Sequence, residues 1–295
     1  MSGALRIGTR GSKLALWQAN DVARRLLDAG CPTEIVPIRT SGDKRPDASL
    51  ASIGGKGVFI KELEEALVAG TIDLAVHSLK DVPSILPDPF VLAAFLPRGD
   101  PRDAWVQGER TPLRELPPGA TIGTSAPRRR AQLRLLRPDL RLEEIRGNVD
   151  TRMAKVRSGL YAGAVLAAAG LQRLGLQSEI TSYFSVDEMI PAAGQGIIVV
   201  ETLRGQSLPR TINDADADMA ARCERGVLQK FGTLLDCYSA VAVHATVGKS
   251  ITIRAFFSDG ENAIRLTRHG AQADAVIQSA YDALEAEGAR EMLRK

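Results

Sequence analysis

Along the first half of the chain, short β-branched runs alternate with stretches in which apolar residues return every third or fourth position, the pattern of strands feeding amphipathic helices. Residues 5–9 read as a strand. Ser12 then stands where an N-cap belongs, before a helix whose apolar face is Leu14, Leu16, Trp17, Val22 and Leu26 and which runs to Gly30. A second strand spans 34–40. Residues 41–57 are polar and Gly-rich, a long loop of the kind that usually serves function. A helix over 59–69 and a buried strand over 72–76 follow, the strand ending at His77-Ser78-Leu79-Lys80-Asp81-Val82-Pro83. After Pro101 the same order returns: strand Thr121–Gly123, helix Pro127–Leu136, strand 140–145, helix Val149–Arg157 and an apolar strand over 164–169. Such βα repetition predicts an α/β chain with mostly parallel sheets. The turn-rich Pro191-Ala-Ala-Gly-Gln-Gly196 leads into a strand at 197–201, placed to rejoin the first sheet. Beyond Asn213, a helix to about Phe231, three strand-like runs (239–247, 251–257 and 263–268) and a last helix from Ala273 predict a separate α+β unit with antiparallel strands.

The 295 residues suffice for two or more domains of ordinary size. With 44% hydrophobic and 25% charged residues, the composition excludes a disordered, collagen-like or coiled-coil chain. A balance of 38 Lys and Arg against 35 Asp and Glu, net +3, leaves no chain-wide excess for nucleic acid. No apolar run reaches the roughly 18 residues that a spanning helix needs, and the first residues lack a secretory core, so we expect a cytoplasmic chain without a membrane partner. Cys31, Cys223 and Cys237 form no C-x-x-C pair and His77, His244 and His269 are scattered, so neither disulfides nor a metal centre is expected.

The charge is unevenly placed. Between Thr124 and Arg157 stand ten bases (Arg128, Arg129, Arg130, Arg134, Arg137, Arg141, Arg146, Arg152, Lys155 and Arg157) against four acids (Asp139, Glu143, Glu144 and Asp150), so this segment carries +6 and the rest of the chain −3. Arg128, Arg129 and Arg130 fall in the first turn of a predicted helix, where cations oppose the macrodipole. A local rule broken in this way points to a site for an anion. Arg146 and Arg152 flank the next strand-to-helix turn, and Arg10 and Ser12 the first. Asp81 lies beside bases at the carboxyl end of a strand, the edge that faces the ligand crevice in α/β sheets. It reads either as a group that stabilises a cationic intermediate or as a turn residue before Val82-Pro83. Cys237 reads either as a nucleophile in a loop or as a small buried hydrophobe.

Seven segments occur in order: Arg6-Ile-Gly-Thr-Arg-Gly-Ser12, Gly54-Gly-Lys-Gly-Val-Phe-Ile-Lys-Glu-Leu63, Ala75-Val-His-Ser-Leu-Lys-Asp-Val-Pro83, Gly123-Thr-Ser125, Arg146-Gly-Asn148, Gly170-Leu-Gln-Arg-Leu-Gly175 and Pro191-Ala-Ala-Gly-Gln-Gly196. Together they resemble the porphobilinogen deaminase family, also called hydroxymethylbilane synthases, over nearly the whole chain. The resemblance implies two domains folded like type II periplasmic binding proteins (1–97 with 197–212, and 101–192), a cleft between them, and a smaller α+β domain over 213–295. It implies a monomeric transferase of porphyrin and heme biosynthesis with a dipyrromethane cofactor joined to Cys237 by a thioether. Four porphobilinogens would be added head to tail with loss of ammonia, and hydrolysis would release the linear tetrapyrrole. Each ring carries an acetate and a propionate, which suits the concentration of arginines.

By motif, Asp81 is implied as the catalytic aspartate. Lys80, Arg10, Ser12, Ser125, Arg128, Arg129, Arg146, Arg152 and Arg173 are implied at carboxylate-binding positions, Gln195 in a hinge-like return, and Lys56 and Phe59 in a loop over the site. Leu235-Asp236 precede Cys237 where the family has two glycines, and Ala240 stands where proline is usual. A non-catalytic, anion-binding paralogue of the same fold is the alternative reading.

Overall fold

The computed structural model describes residues 3–40, 60–236 and 239–294. Lys56, Phe59, Cys237 and the loop expected at 41–57 lie outside these residues. Strands β1 (Leu5–Arg10), β2 (Thr33–Ile38), β3 (Leu74–Ser78) and β4 (Phe90–Phe95) belong to the first sheet, and β5 (Asp103–Val106), β6 (Thr121–Gly123), β7 (Arg141–Glu143), β8 (Gly163–Ala167) and β9 (Ile180–Tyr183) form the second. A later strand, β10 (Ile198–Leu203), returns to the first sheet. The orders are β2-β1-β3-β10-β4 and β7-β6-β8-β5-β9, so the two sheets share one topology. The chain is an α/β protein of two lobes, each built on one five-stranded sheet, with an α+β unit appended.

The expectation of mostly parallel sheets needs correcting. In each sheet two pairings are parallel, but β10 runs antiparallel to β3 and β4, and β5 runs antiparallel to β8 and β9. The reason is connectivity: β5 and β10 are the strands that enter each sheet directly after the chain has crossed from the other lobe. Neither β4, β5 nor β9 was evident as a strand in the periodicity. Residues 168 and 169, expected to end a strand, instead open a short helix.

Helices α1 (Lys13–Asp28) and α2 (Lys61–Val68) pack on the first sheet, and α3 (Pro127–Leu136), α4 (Val149–Arg157) and α5 (Ala168–Arg173) on the second. The buried face of α1 is Gln18, Ala19, Val22 and Leu26. Trp17, expected on that face, is 40% exposed and lies 5.7 Å beneath the guanidinium of Arg173. The first turns of α1 look toward the second lobe, so Trp17 is apolar without being core.

The third unit begins with α6 (Ala215–Phe231), capped by Asp214, whose carboxylate accepts from Ala217 N at 2.8 Å. Antiparallel strands β11 (Ala240–Thr246), β12 (Ile251–Ser258) and β13 (Ala263–Gly270) follow, then α7 (Ala273–Ala286) and α8 (Ala289–Met292). Phe231 stacks at an angle on Phe257, 5.0 Å between centroids, and edge-on to Tyr281 at 5.3 Å, inside a core that also holds Cys223, Val227 and Ile253. The opposite face of this sheet docks on the second lobe, where Phe256 and Ala242 pack with Ala131 and Ile190. Among the described residues no helix is long and apolar enough to cross a membrane.

Candidate active site

Because the two sheets share a topology, the carboxyl ends of β1 and β3 in one lobe and of β6 and β7 in the other carry the site residues, as the crevice rule for such sheets anticipates. Ser12 caps α1, its Oγ accepting from Ala15 N at 3.3 Å, which leaves the hydroxyl hydrogen to donate. Asn148 caps α4 in the same way from Thr151 N at 2.9 Å. The first turns of these two helices meet in an ion pair between lobes, Lys13 Nζ to Asp150 Oδ2 at 3.2 Å. Ser125 donates its hydroxyl to the carbonyl of Ile145. Arg146 pairs with Glu144 at 2.5 Å, and Arg152 Nε donates to Gly147 O at 2.8 Å.

Lys80 and Asp81 lie on a single helical turn directly after β3 and are both solvent-accessible. Protein crowds the ammonium of Lys80 even so. Desolvation pushes it down to about 8, Arg129 and Arg128 push in the same direction, and Asp81 and Asp103 oppose them. Desolvation likewise lowers Arg152 to about 10, with Arg129 adding and Asp81 opposing. These mutual influences place Lys80 and Asp81 of one lobe and Arg129 and Arg152 of the other within electrostatic reach across a single cleft. Among the described residues, neither Lys80 nor Arg152 has a carboxylate at ion-pair distance.

Arg128 and Arg129 occupy a different position from the exposed carboxylate-binding one expected of them. Both are 5% exposed, and both are committed to Asp103, a fully buried carboxylate at the start of β5. Arg128 reaches Asp103 at 2.6 and 3.1 Å and also donates to Ile190 O and Gln195 Oε1. Arg129 reaches Asp103 at 2.7 and 3.0 Å and donates to Val165 O. Burial works against the charge on Asp103, but the two guanidiniums outweigh it and hold the carboxyl well below the usual carboxylate range. Two of the three cations that opposed the helix dipole thus share one carboxylate from a strand 25 and 26 residues earlier. Gln195 is fully buried as well, donating to Pro101 O at 2.7 Å and Asp103 Oδ1 at 3.0 Å. It pins the return crossover to the outgoing one.

The crossovers touch at Gly99 and Gly196. Gly99 N donates to Gly196 O at 3.0 Å, and a Cβ on Gly196, whose φ is +88°, would lie 2.6 Å from Gly99 O. Only glycine fits there. Arg173 donates to Gly196 O at 2.6 Å and is lowered to about 10 by burial, so it braces this junction. Glu224 of α6, fully buried, accepts from Arg98 at 2.7 Å and from the backbone N–H of Gly194 and Ala245. Asp103 and Glu224 went unread in the sequence; the one available signal, for Asp103, was a carboxylate placed at the head of an apolar strand.

Of the thiols, Cys223 is buried within α6, where desolvation pushes it up to about 11 and leaves it a poor nucleophile. Cys31 is half-buried. Asp236 and Ser239, on either side of Cys237 and Tyr238, hold one another: Ser239 N and Oγ donate to Asp236 Oδ1 at 2.8 and 2.9 Å.

The family model described as "Porphobilinogen deaminase, dipyromethane cofactor binding domain" matches residues 5–209. A porphobilinogen deaminase of Syntrophotalea carbinolica is 47% identical, covering 99% of this chain and 96% of its own length. One from Nitrobacter hamburgensis is 46% identical (97% and 92%), and one from Desulfitobacterium hafniense 41% identical (99% and 97%). Among solved structures, the periplasmic aliphatic sulphonate binding protein SsuA from Escherichia coli overlays 77% of this chain and 70% of that one at 16% identity, with a TM-score of 0.40, too loose to bear on function. A match across both lobes, joined to relatives this similar over their full length, has one consequence: the chain belongs to the porphobilinogen deaminase family.

Proposed function

We propose that Asp81 is the catalytic carboxylate of a hydroxymethylbilane synthase whose primer is held on Cys237. As a member of its family the chain is a transferase of porphyrin and heme biosynthesis with a dipyrromethane cofactor. It condenses four porphobilinogen molecules head to tail, each losing ammonia, and hydrolysis releases the linear tetrapyrrole. Membership does not favour a non-catalytic anion-binding paralogue. The observation that carries the site assignment is the solvent-accessible carboxylate of Asp81, beside Lys80 on its own turn and across the cleft from Arg152, two cations with no carboxylate at ion-pair distance among the described residues. That donor set fits a cofactor and substrate bearing acetate and propionate groups. When bound, the dipyrromethane supplies a free pyrrole carbon to which the first substrate is joined.

In this reading Lys80, Arg152, Arg10 and Arg146 bind ring carboxylates, and Ser12 and Ser125 complete their hydrogen bonding. Asp81 offsets the positive charge that develops on the substrate as ammonia leaves, and takes up the proton released when the new bond forms. Arg128, Arg129 and Gln195 act from behind, as a frame around Asp103. Residues 1–97 with 197–212 form the domain bearing Asp81, 101–192 the arginine-rich domain and 213–295 the domain bearing Cys237. The chain acts as a monomer in the cytoplasm, with neither nucleic acid nor membrane as partner.

The test is the mass of the purified protein. It should exceed the sequence mass by two condensed pyrrole units, mapped to Cys237 and absent from Cys237→Ser. Active protein with an unmodified Cys237 would remove that residue from the mechanism.

Lys80 gives a pH test. Its ammonium is charged below about 8, so its share of carboxylate binding is present below that pH and lost as pH rises through it. KM for porphobilinogen should therefore climb above pH 8 and stay flatter in Lys80→Arg. Identical profiles for the two proteins would take Lys80 out of ligand contact.

A further inference from the structure

Directly beyond Asp81 the chain runs Val82-Pro83-Ser84 toward β4, and its carbonyls are held from outside the first sheet. Arg225 of α6 donates to Val82 O at 3.3 Å and to Ser84 O at 3.0 Å. Gln229, one turn further along the same helix, donates to Ser84 O at 2.7 Å. Arg225 is 8% exposed, and among the described residues no carboxylate lies at contact distance from it. Burial lowers it to about 10, relieved by the field of Glu201 on β10. A buried guanidinium normally faces a paired carboxylate, because taking the charge out of water costs several kcal/mol. Here the cost is met by two backbone carbonyls two residues apart, a geometry that suits the forked guanidinium. Pro83 has no N–H, so the segment cannot anchor itself at that point. On the other side of Asp81, Ser78 Oγ accepts from Gln18 at 2.7 Å, His77 Nε2 meets Glu201 at 3.0 Å, and Leu79 N donates to Ile197 O at 3.0 Å. The turn carrying Asp81 is thus fixed by its own lobe on the approach and by α6 on the exit.

We propose that Arg225 and Gln229 are positioning residues for Asp81. They lock the exit of its turn to α6, the helix that ends at Phe231 six residues before Cys237, so that the carboxylate and the cofactor-bearing unit keep one relative geometry. The inference rests on Asp81 being the catalytic group. Arg225→Lys keeps the charge but satisfies only one carbonyl well, and a displacement of the turn by a fraction of an ångström to 1 Å lowers kcat on the order of tenfold or more. KM changes little, since neither residue touches the ligand.

The experiment compares Arg225→Lys and Gln229→Ala in the parent and in an Asp81→Asn background, with rates scored per cofactor-loaded molecule by intact mass and folding followed by thermal melting. Both variants should lose kcat at nearly constant KM in the parent, Arg225→Lys the more. Both should lose nothing further on Asp81→Asn, because a residue acting only through the carboxylate has nothing left to position. Parent-like kcat in both variants, or losses that multiply with Asp81→Asn, overturn the inference while leaving Asp81 in place. A fully active Asp81→Asn overturns the catalytic assignment and this inference with it. Should Arg225→Lys fail to fold, the exposed Gln229→Ala decides the matter by the same comparison.

Discussion

Asp81→Asn should fold and melt like the parent, load ligand with similar affinity, and lose at least about a hundredfold in turnover. Asp81 is solvent-accessible and bears no structural load, so the amide costs the fold nothing. The amide is nearly isosteric but neutral. It can neither offset positive charge developing on the substrate nor take up the released proton. The surrounding field makes the loss larger: Lys80, Arg152 and Arg129 all lie within electrostatic reach, and removing the charge of Asp81 leaves their positive field less opposed in a reaction that generates a cation. A single-turnover rate on loaded protein is the measurement. Turnover within a few-fold of the parent would show that the reaction draws its carboxylate from elsewhere.

The second large effect belongs to a residue that does no chemistry. Asp103→Asn removes the anion that Arg128 and Arg129 share, leaving two guanidiniums buried and uncompensated. Breaking a buried pair from one side costs about 3–5 kcal/mol, a large part of the stability of an ordinary domain. Urea denaturation should show a midpoint shift of that size, and a loss below about 1 kcal/mol would mean the cluster is open to water. The pH dependence follows from the direction of the shift. The folded pKa of Asp103 is depressed, so its contribution is complete above the unfolded value of about 3.9 and disappears as pH falls below it. The stability difference between parent and Asp103→Asn should therefore be constant from neutral pH to about 5 and shrink under stronger acid. The same result bears on Arg128 and Arg129: substitutions there unfold the second lobe before they report on ligand binding.

Local patterning was enough to read most helices and the parallel strands, because Ser12, the apolar spacing of α1 and the runs at β1, β3 and β8 each act within a few residues of themselves. The same locality revealed which loops carry chemistry, since Arg10 ends a strand, Lys80, Asp81 and Arg146 stand just beyond strands, and Arg152 lies in the first turn of the helix that follows. Short strands such as β5, with four residues and a carboxylate at its head, lack the length to announce themselves. The antiparallel entry of β5 and β10 depends on where the crossovers land, and no window along the chain contains that information. Whether an arginine faces ligand or is spent inside the protein is decided in the same way. Arg128 and Arg129 differ from Arg152 only in the partners that folding brings to them, Asp103 from 25 and 26 residues upstream and Gln195 from 67 residues downstream of Arg128. Spacing and residue type are local and could be read directly, whereas charge compensation is a property of contacts between distant segments and exists only once the lobes have closed around it.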